Sequence, residues 1–189
     1  MIFIVECNND YSFFKKLRDF LKLNAVCDVL HCSDEVETGG YDGVIKTYCK
    51  RIKNNNKNKL IIAVFDYDNE QHFDKLAKKL KLHEDYNSCE NDLMIIFKKK
   101  QNPKHQVWIV KPKAIESFVN EIYKEIKGTN YGKLKELKSE FKFEQVLEII
   151  FTNFEKSQTL KNLKEIINRN LQLYNCPINS VKSLTIKNL

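Results

Sequence analysis

The sequence predicts an α/β fold: a mainly parallel β-sheet flanked by helices, followed by an all-helical C-terminal extension. Three observations carry this expectation. Short apolar runs at Ile2–Val5 and 60–65 lack polar alternation, as strands covered on both faces do. Segments with helical spacing of apolar residues stand between such runs, and alternation of strand and helix is the pattern of right-handed crossovers in a parallel sheet. Both runs also end abruptly in acid, Glu6 after the first and Asp66 and Asp68 after the second. The functional crevice of such a sheet lies beyond the carboxyl ends of its strands.

Each element follows from its own pattern. Ile2–Val5 is a strand. Positions 12–23 place Phe13, Phe14, Leu17, Phe20 and Leu21 on one helical face, with Ser12 as the N-cap. A second strand is expected at 26–31, and the polar, glycine-containing stretch 33–40 reads as a loop. Val44, Ile45, Tyr48 and Ile52 mark a helix over 41–52. A basic, Asn-rich connector at 54–59 leads into the third strand, 60–65. Phe73, Leu76, Ala77 and Leu80 put a helix over 71–82. Regularity then loosens. The stretch 83–92 reads as a polar connector, 93–97 as a strand, 98–106 as a basic loop around Asn102 and Pro103, and 107–110 as a strand. Ile115, Phe118, Val119, Ile122, Tyr123 and Ile126 define an amphipathic helix over 114–127, stopped by Gly128. Two further periodic stretches, 144–154 and 159–174, predict helices, and Pro177 interrupts the pattern before a short tail. The expected division is an α/β unit over 1–127 and a helical extension over 128–189. The extension packs on the unit, because its apolar faces are too wide for solvent. No internal repeat is present.

Composition narrows the class. A chain of 189 residues that is 42% hydrophobic and 30% charged, with five Gly and three Pro, builds a real core and is neither disordered nor collagenous. The formal net charge of +7 favours a polyanionic partner. No apolar run approaches the ~20 residues of a membrane span. The first run is too short for a signal-peptide core, so a cytoplasmic location is expected. Cys7, Cys27, Cys32, Cys49, Cys89 and Cys176 form no C-x-x-C pair, and reduced thiols are expected. His31, His72, His83 and His105 carry no metal-site signature and read as core or surface residues.

The acids at the strand ends carry the chemistry. Glu6, Asp66 and Asp68 can meet in one crevice. Carboxylates gathered there repel one another, and a hard divalent cation is the usual remedy. Asp66 and Asp68 lie two apart, so on a continuing strand they face one side. Helix capping is the competing explanation: Asp10 for the helix at 12, Asp68 for the helix at 71, and the macrodipole for Glu116 at a helix start. Capping accounts for one acid per helix. It does not account for the clustering of Glu6, Asp66 and Asp68 at strand ends.

Read in order, the stretch from Val5 through Glu6, Cys7, Asn8, Asn9 and Asp10 to Phe13 and Phe14, then Gly39-Gly40, then Phe65 through Asp66 and Asp68 to Glu70, and last Lys113 through Ile115 and Glu116 to Phe118 resemble the TOPRIM domain over residues 1–127. Within it the similarity is to the nucleases named for overcoming lysogenization defect. The first motif of that branch reads Val-Glu-Gly-x-x-Asp, the second is the Asp-x-Asp strand end, and an Ile-Glu pair opens a later helix. The resemblance implies a Rossmann-like sheet and a Mg²⁺- or Mn²⁺-dependent nuclease. It makes Glu6, Asp10, Asp66, Asp68 and Glu116 metal ligands or their supports, with Glu6 as general acid or base. The chain departs at Cys7 and Asn8, where the family commonly has Gly and a basic residue, and near Gln71, where a Gly is usual. Every acid is kept.

Lys98, Lys99, Lys100, Lys104, Lys111 and Lys113 lie between the last two strands and the Glu116 helix. There they would give sequence-independent, salt-sensitive contacts to the phosphates of DNA or RNA; a solvated hairpin tip is the plain alternative. Lys113, beside Glu116, can also neutralise charge in a phosphoryl-transfer transition state. Trp108 reads as core rather than as a base-stacking platform. Two functions follow. One is a metal-dependent phosphoryl-transfer enzyme, most simply a nuclease; the other is a nucleic-acid-binding accessory module that needs a partner protein. The sequence carries no P-loop, so an ATPase partner would be a separate chain. A receiver-like domain fits less well, since it expects an acidic pair after the first strand and a lone Asp after the third. A topoisomerase finds no room here for its tyrosine-bearing cleavage domain.

Overall fold

The apolar runs form the middle of a six-stranded sheet. The computed structural model describes residues 1–54, 59–111 and 114–173. In chain order the elements are β1 (Ile2–Val5), α1 (Asn8–Phe20), β2 (Asp28–His31), α2 (Gly40–Lys53), β3 (Ile61–Asp66), α3 (Glu70–Leu80), the single turn α4 (Leu82–Asp85), β4 (Tyr86–Glu90), β5 (Met94–Lys99), β6 (Asn102–Val110), α5 (Ile115–Lys127), α6 (Glu140–Thr152) and α7 (Gln158–Leu173). The strand order is β2-β1-β3-β6-β5-β4. Strands β2, β1, β3 and β6 run parallel, and β5 and β4 extend the sheet by antiparallel pairing. The fold is α/β, with a mostly parallel sheet flanked by helices.

Alternate residues of each buried strand feed opposite cores, as the two-residue period of a strand requires. Phe3, Val5, Ile62, Val64 and Val110 pack with α1, α5, α6 and α7 on one face. Ile2, Ile4, Ile61, Ala63, Phe65 and Ile109 pack with α2 and α3 on the other. Burying each Val, Ile or Phe of these sets stabilises the fold by roughly 1.5–3 kcal/mol relative to exposure. The helices after Gly128 have no core of their own: Phe143, Val146, Ile150, Leu160, Leu163 and Ile167 join the same cluster as Phe3 and Phe14. Trp108 is fully buried in that cluster. Its Nε1–H donates to Gln106 Oε1 at 2.8 Å, and Gln106 in turn donates to Asn170 Oδ1 of α7 at 2.9 Å. Strand β6 is thus tied to the last helix by a satisfied polar chain.

Several stretches depart from the pattern read in the sequence. The first helix begins at Asn8, not at 12. The Asp10 carboxylate lies within its first turn and accepts the Cys7 N–H at 3.2 Å, so Asp10 acts from inside the helix rather than as its N-cap. The cap of α3 is Asn69, which accepts the His72 N–H at 2.9 Å, and not Asp68. The helix expected over 71–82 stops at Leu80, where Lys81 turns left-handed (φ 53°) before α4. The polar connector expected at 83–92 contains β4, an edge strand in which only Tyr86 is buried. An edge strand exposed on both faces has no apolar alternation to read, and its polar side chains discourage pairing with other chains. The basic loop expected at 98–106 is a β-hairpin: Lys98 and Lys99 end β5, Lys100 and Gln101 turn, and β6 begins at Asn102. Gly128 does close α5, in the left-handed conformation (φ 77°). Among the described residues no helix is long and apolar enough to cross a membrane.

Candidate functional site

Strand order reverses between β1 and β3. From β1 the chain crosses by α1 on one face to β2, then by α2 on the other face to β3. The carboxyl ends of β1 and β3 therefore splay apart, and the helices that follow begin there, which is where parallel sheets hold their ligands. A cavity of about 600 Å³ opens at this point, lined by Glu6, Asp66, Asp68 and Glu116 together with Cys7, Asn8, Asn9, His31, Lys138 and Glu140. Four of the five acids read as metal ligands or supports line it. The fifth, Asp10, is buried just behind, 4% exposed.

Helix starts hold these acids. Glu6 follows β1 and faces the Tyr41 N–H at the start of α2, which favours its charged form. A Cβ on Gly40 would stand 3.7 Å from Glu6 Oε1, and Gly40 takes φ +65°, so the carboxylate lies against a glycine-shaped backbone. Asp66, the last residue of β3, faces the Ile115 N–H at the start of α5, which favours its charged form. Glu116, in the first turn of α5, accepts from Asn9 Nδ2 at 2.8 Å, and the same amide reaches the Leu137 carbonyl at 3.2 Å. Helix N-termini carry partial positive charge and suit anions. Asp68 lies past the end of β3, exposed, with His72 Nδ1 3.3 Å from Oδ2. Since the strand stops at Asp66, Asp66 and Asp68 are not neighbours on one strand face.

The electrostatics are those of crowded, half-dry carboxylates. Burial, then the charges of Asp10 and Asp68, push Glu6 up to about 7. Burial pushes Asp10 up to about 6, and burial followed by Asp10 and Glu6 pushes Asp66 up to about 9. Among the described residues no Lys or Arg forms an ion pair with Glu6, Asp10 or Asp66. The Cys7 thiol is held protonated by burial and by Asp10, and Cys32, whose Sγ is 3.5 Å from the Glu6 carbonyl, is raised by burial and by Glu6. Neither thiol is a ready nucleophile, because the thiolate is the reactive form. Among the described residues none of the five cysteines forms a disulfide; Cys176 lies outside them.

The lysines are distributed differently. Lys98 pairs with Gln106 and Lys99 with Asn102, while the carboxyl end of β6 is at Val110 beside Asp66. Lys98, Lys99, Lys100 and Lys104 therefore sit toward the amino end of β6, about 13 Å (Lys98) to about 26 Å (Lys99) along the sheet from the carboxylates at ~3.3 Å per residue. Lys100 Nζ donates to the Glu84 carbonyl at 2.6 Å, and Lys99 lies 5.9 Å from the Tyr86 ring centre. Lys111 pairs with Glu90. Lys113 lies outside the described residues. Among the described residues the lysine that lines the cavity is Lys138, which sequence reasoning missed, as it missed Asn9, His31 and Glu140. Asn9 stands inside the first motif and was legible there. Lys138 just before α6 and Glu140 at its start come from far along the chain, and no local signal marks them. Asn8 Nδ2 meets Glu140 Oε1 at 2.5 Å and closes that side.

No curated protein and no solved structure gives a significant match to the chain. The family model described as "Protein of unknown function (DUF3226)" matches residues 1–185, and the chain belongs to that family.

Proposed function

We propose that the chain is a divalent-cation-dependent phosphoryl-transfer protein with a TOPRIM-like catalytic edge, a nuclease or another nucleic-acid-processing factor. One observation carries the reading. Glu6 and Asp66, from the ends of adjacent parallel strands, share an open cavity with raised proton affinities and no lysine or arginine partner among the described residues. Such a pair is costly unless a proton or a cation neutralises it. The donor set of carboxylate oxygens suits a hard cation, Mg²⁺ or Mn²⁺. Among the described residues no three His, Cys, Asp or Glu side chains form a ready metal-binding group. Magnesium does not need one, since it keeps several waters and takes one or two carboxylates with substrate phosphate.

The residues divide the work. Asp66, facing the Ile115 N–H, and Glu6 would hold the cation, with Asp68 and Glu116 at the cavity wall. When bound, the cation would polarise a phosphoryl oxygen and acidify a water. Glu6, at the cavity wall, can accept a proton from an attacking water or return one to a leaving oxygen. Asp10 braces the turn that presents Glu6 by accepting the Cys7 N–H. Asn9 orients Glu116. Cys7 lines the cavity where the resembled nucleases have Gly, and this favours a second reading, an accessory module that binds nucleic acid for a partner enzyme.

Calorimetric titration with Mn²⁺, run beside cleavage assays on plasmid and single-stranded substrates, tests the proposal. The wild type should bind the cation, and Asp66→Asn with Asp68→Asn should lose it while staying folded. Equal binding by the double variant would sink the site assignment. Cation binding without cleavage of any substrate would select the accessory reading.

A further inference from the structure

The Glu6–Asp68 side of the carboxylate cavity has a second cleft beyond it. This cleft, about 330 Å³, shares Glu6 and Asp68 with the larger cavity and adds Tyr41, Asp42, His72, Lys75 and Lys79. His72, Lys75 and Lys79 stand at i, i+3 and i+7 of α3, so they form one stripe along the helix. Lys79 is anchored: its Nζ meets Asp42 Oδ1 at 2.6 Å and lies 5.7 Å from the Tyr41 ring centre. Tyr41 is in turn packed on Phe65 of β3, with ring centres 5.5 Å apart. Lys75 is exposed, and among the described residues no acidic group pairs with it. The two hollows differ in character. The larger holds five carboxylates and one lysine, while the smaller sets the ammonium groups of Lys75 and Lys79 on α3 beside Glu6, Asp42 and Asp68.

A chain of phosphodiesters needs both characters in one path. Its reacting phosphate belongs at the carboxylates, where a cation can bridge like charges, and its neighbouring phosphates need fixed positive charge. The lysines of the β5–β6 hairpin stand at the opposite edge of the sheet and cannot serve the phosphates next to Glu6. We infer that the α3 stripe, Lys75 with Lys79 held by Asp42 and Tyr41, is the arm that receives the substrate strand's phosphates adjacent to the one at Glu6 and Asp68. This assignment rests on the phosphoryl-transfer reading for its substrate. It adds to that reading the direction of the strand across the sheet edge, from the carboxylate cavity over Glu6 and Asp68 onto α3.

Fluorescence anisotropy with a short labelled single strand and with a short duplex, as DNA and as RNA, in Ca²⁺ buffer over a salt series, tests the arm. Lys75→Ala with Lys79→Ala should weaken binding about tenfold at low salt and flatten the log–log salt slope by roughly 0.7 per lysine on a single strand, or 0.9 on a duplex. Lys75→Glu, which leaves the Lys79–Asp42 pair untouched, should weaken binding further than Lys75→Ala. Lys98→Ala, Lys99→Ala and Lys100→Ala together should leave the affinity of the short strand unchanged. An unmoved slope in the α3 variants, a loss confined to the hairpin triple variant, or no binding of any probe by the wild type would each overturn the arm. Slopes that shift as expected in a protein that cleaves nothing would keep the arm and remove the nuclease reading. Cleavage with unmoved slopes would do the reverse.

Discussion

Glu6→Gln keeps the size of the side chain and removes its charge. The Tyr41 N–H that faces Glu6 can face the amide oxygen equally, and the Cys7–Asp10 bond is untouched, so the turn after β1 should hold its shape. A general acid–base residue typically contributes ~10²–10⁴-fold to rate, and Glu6→Gln should lower cation-dependent cleavage by that factor. Nucleic-acid affinity should hold or rise slightly, because one negative charge facing the phosphates is gone. Parallel single-turnover and anisotropy measurements check both halves, and a proportional fall in affinity would make Glu6 a binding residue instead. Asn9 makes a different case at the same scale. Its amide bridges Glu116 on α5 and the Leu137 carbonyl from within α1. Asn9→Leu removes both donors and leaves their acceptors unmatched, at about 1–3 kcal/mol each where burial is complete. Thermal melting should show a lower Tm for Asn9→Leu than for Asn9→Gln, which keeps an amide.

At the scale of elements, the site is made by helix starts meeting strand ends. The start of α1 supplies Cys7 and Asp10, that of α2 the Tyr41 N–H, and that of α5 the Ile115 N–H and Glu116. One glycine sets the packing of α2. A Cβ on Gly43 would stand 2.1 Å from the Thr38 carbonyl oxygen and 2.9 Å from Cys32 Sγ, and backbone cannot give way as a side-chain tip can. Gly43→Ala should cost roughly 1–3 kcal/mol as overpacking does, which at about 2–4 °C per kcal/mol for a chain of this size is a loss of several degrees in Tm. It should also displace the 38–41 turn that presents the Tyr41 N–H to Glu6, and so reduce cation affinity. Scanning calorimetry and Mn²⁺ titration of the variant measure the two effects. The elements that were legible in the sequence are those with two-sided or one-sided apolar burial: β1, β3, α2, α5 and α7 fall close to their expected places. Strand β4 was not legible, because an exposed edge strand carries no apolar period. The early start of α1 was hidden because its first turn, Asn8 to Tyr11, is polar and is closed by Asp10 rather than by Ser12. Gly43 gave no sign, since its neighbour Thr38 reaches it through the fold of a loop.

The whole molecule brings strand-end acids together at a cost that pH and cations should reveal. The acids themselves could be read because each sits inside a short motif at a strand end. Their company could not: Lys138 and Glu140 reach the cavity from the turn into α6, Lys75 and Lys79 line the adjoining cleft from α3, and the hairpin lysines lie across the sheet. What decides the balance is proton binding. In the folded chain Glu6 holds its proton up to about pH 7 and Asp66 to about pH 9, against ordinary values of 4.5 and 3.8. Between those limits the native state binds more protons than the unfolded one, so stability must fall as pH rises. For Glu6 alone the loss is on the order of 1–3 kcal/mol, taking ~1.4 kcal/mol per unit and allowing for solvent screening. Cation-free protein should therefore melt several degrees lower at pH 8 than at pH 5, a trend set mainly by Asp66 above pH 7. Mn²⁺ should flatten it, because the cation replaces the proton as the neutralising charge. Asp66→Asn should flatten it without any cation and should melt above the wild type at pH 8. Melting curves across this pH range, with and without Mn²⁺, give the answer directly. A cation-free Tm that rises from pH 5 to pH 8 would mean that Glu6 and Asp66 are already neutralised within the fold, and the cavity would then have no charge left for a cation to answer.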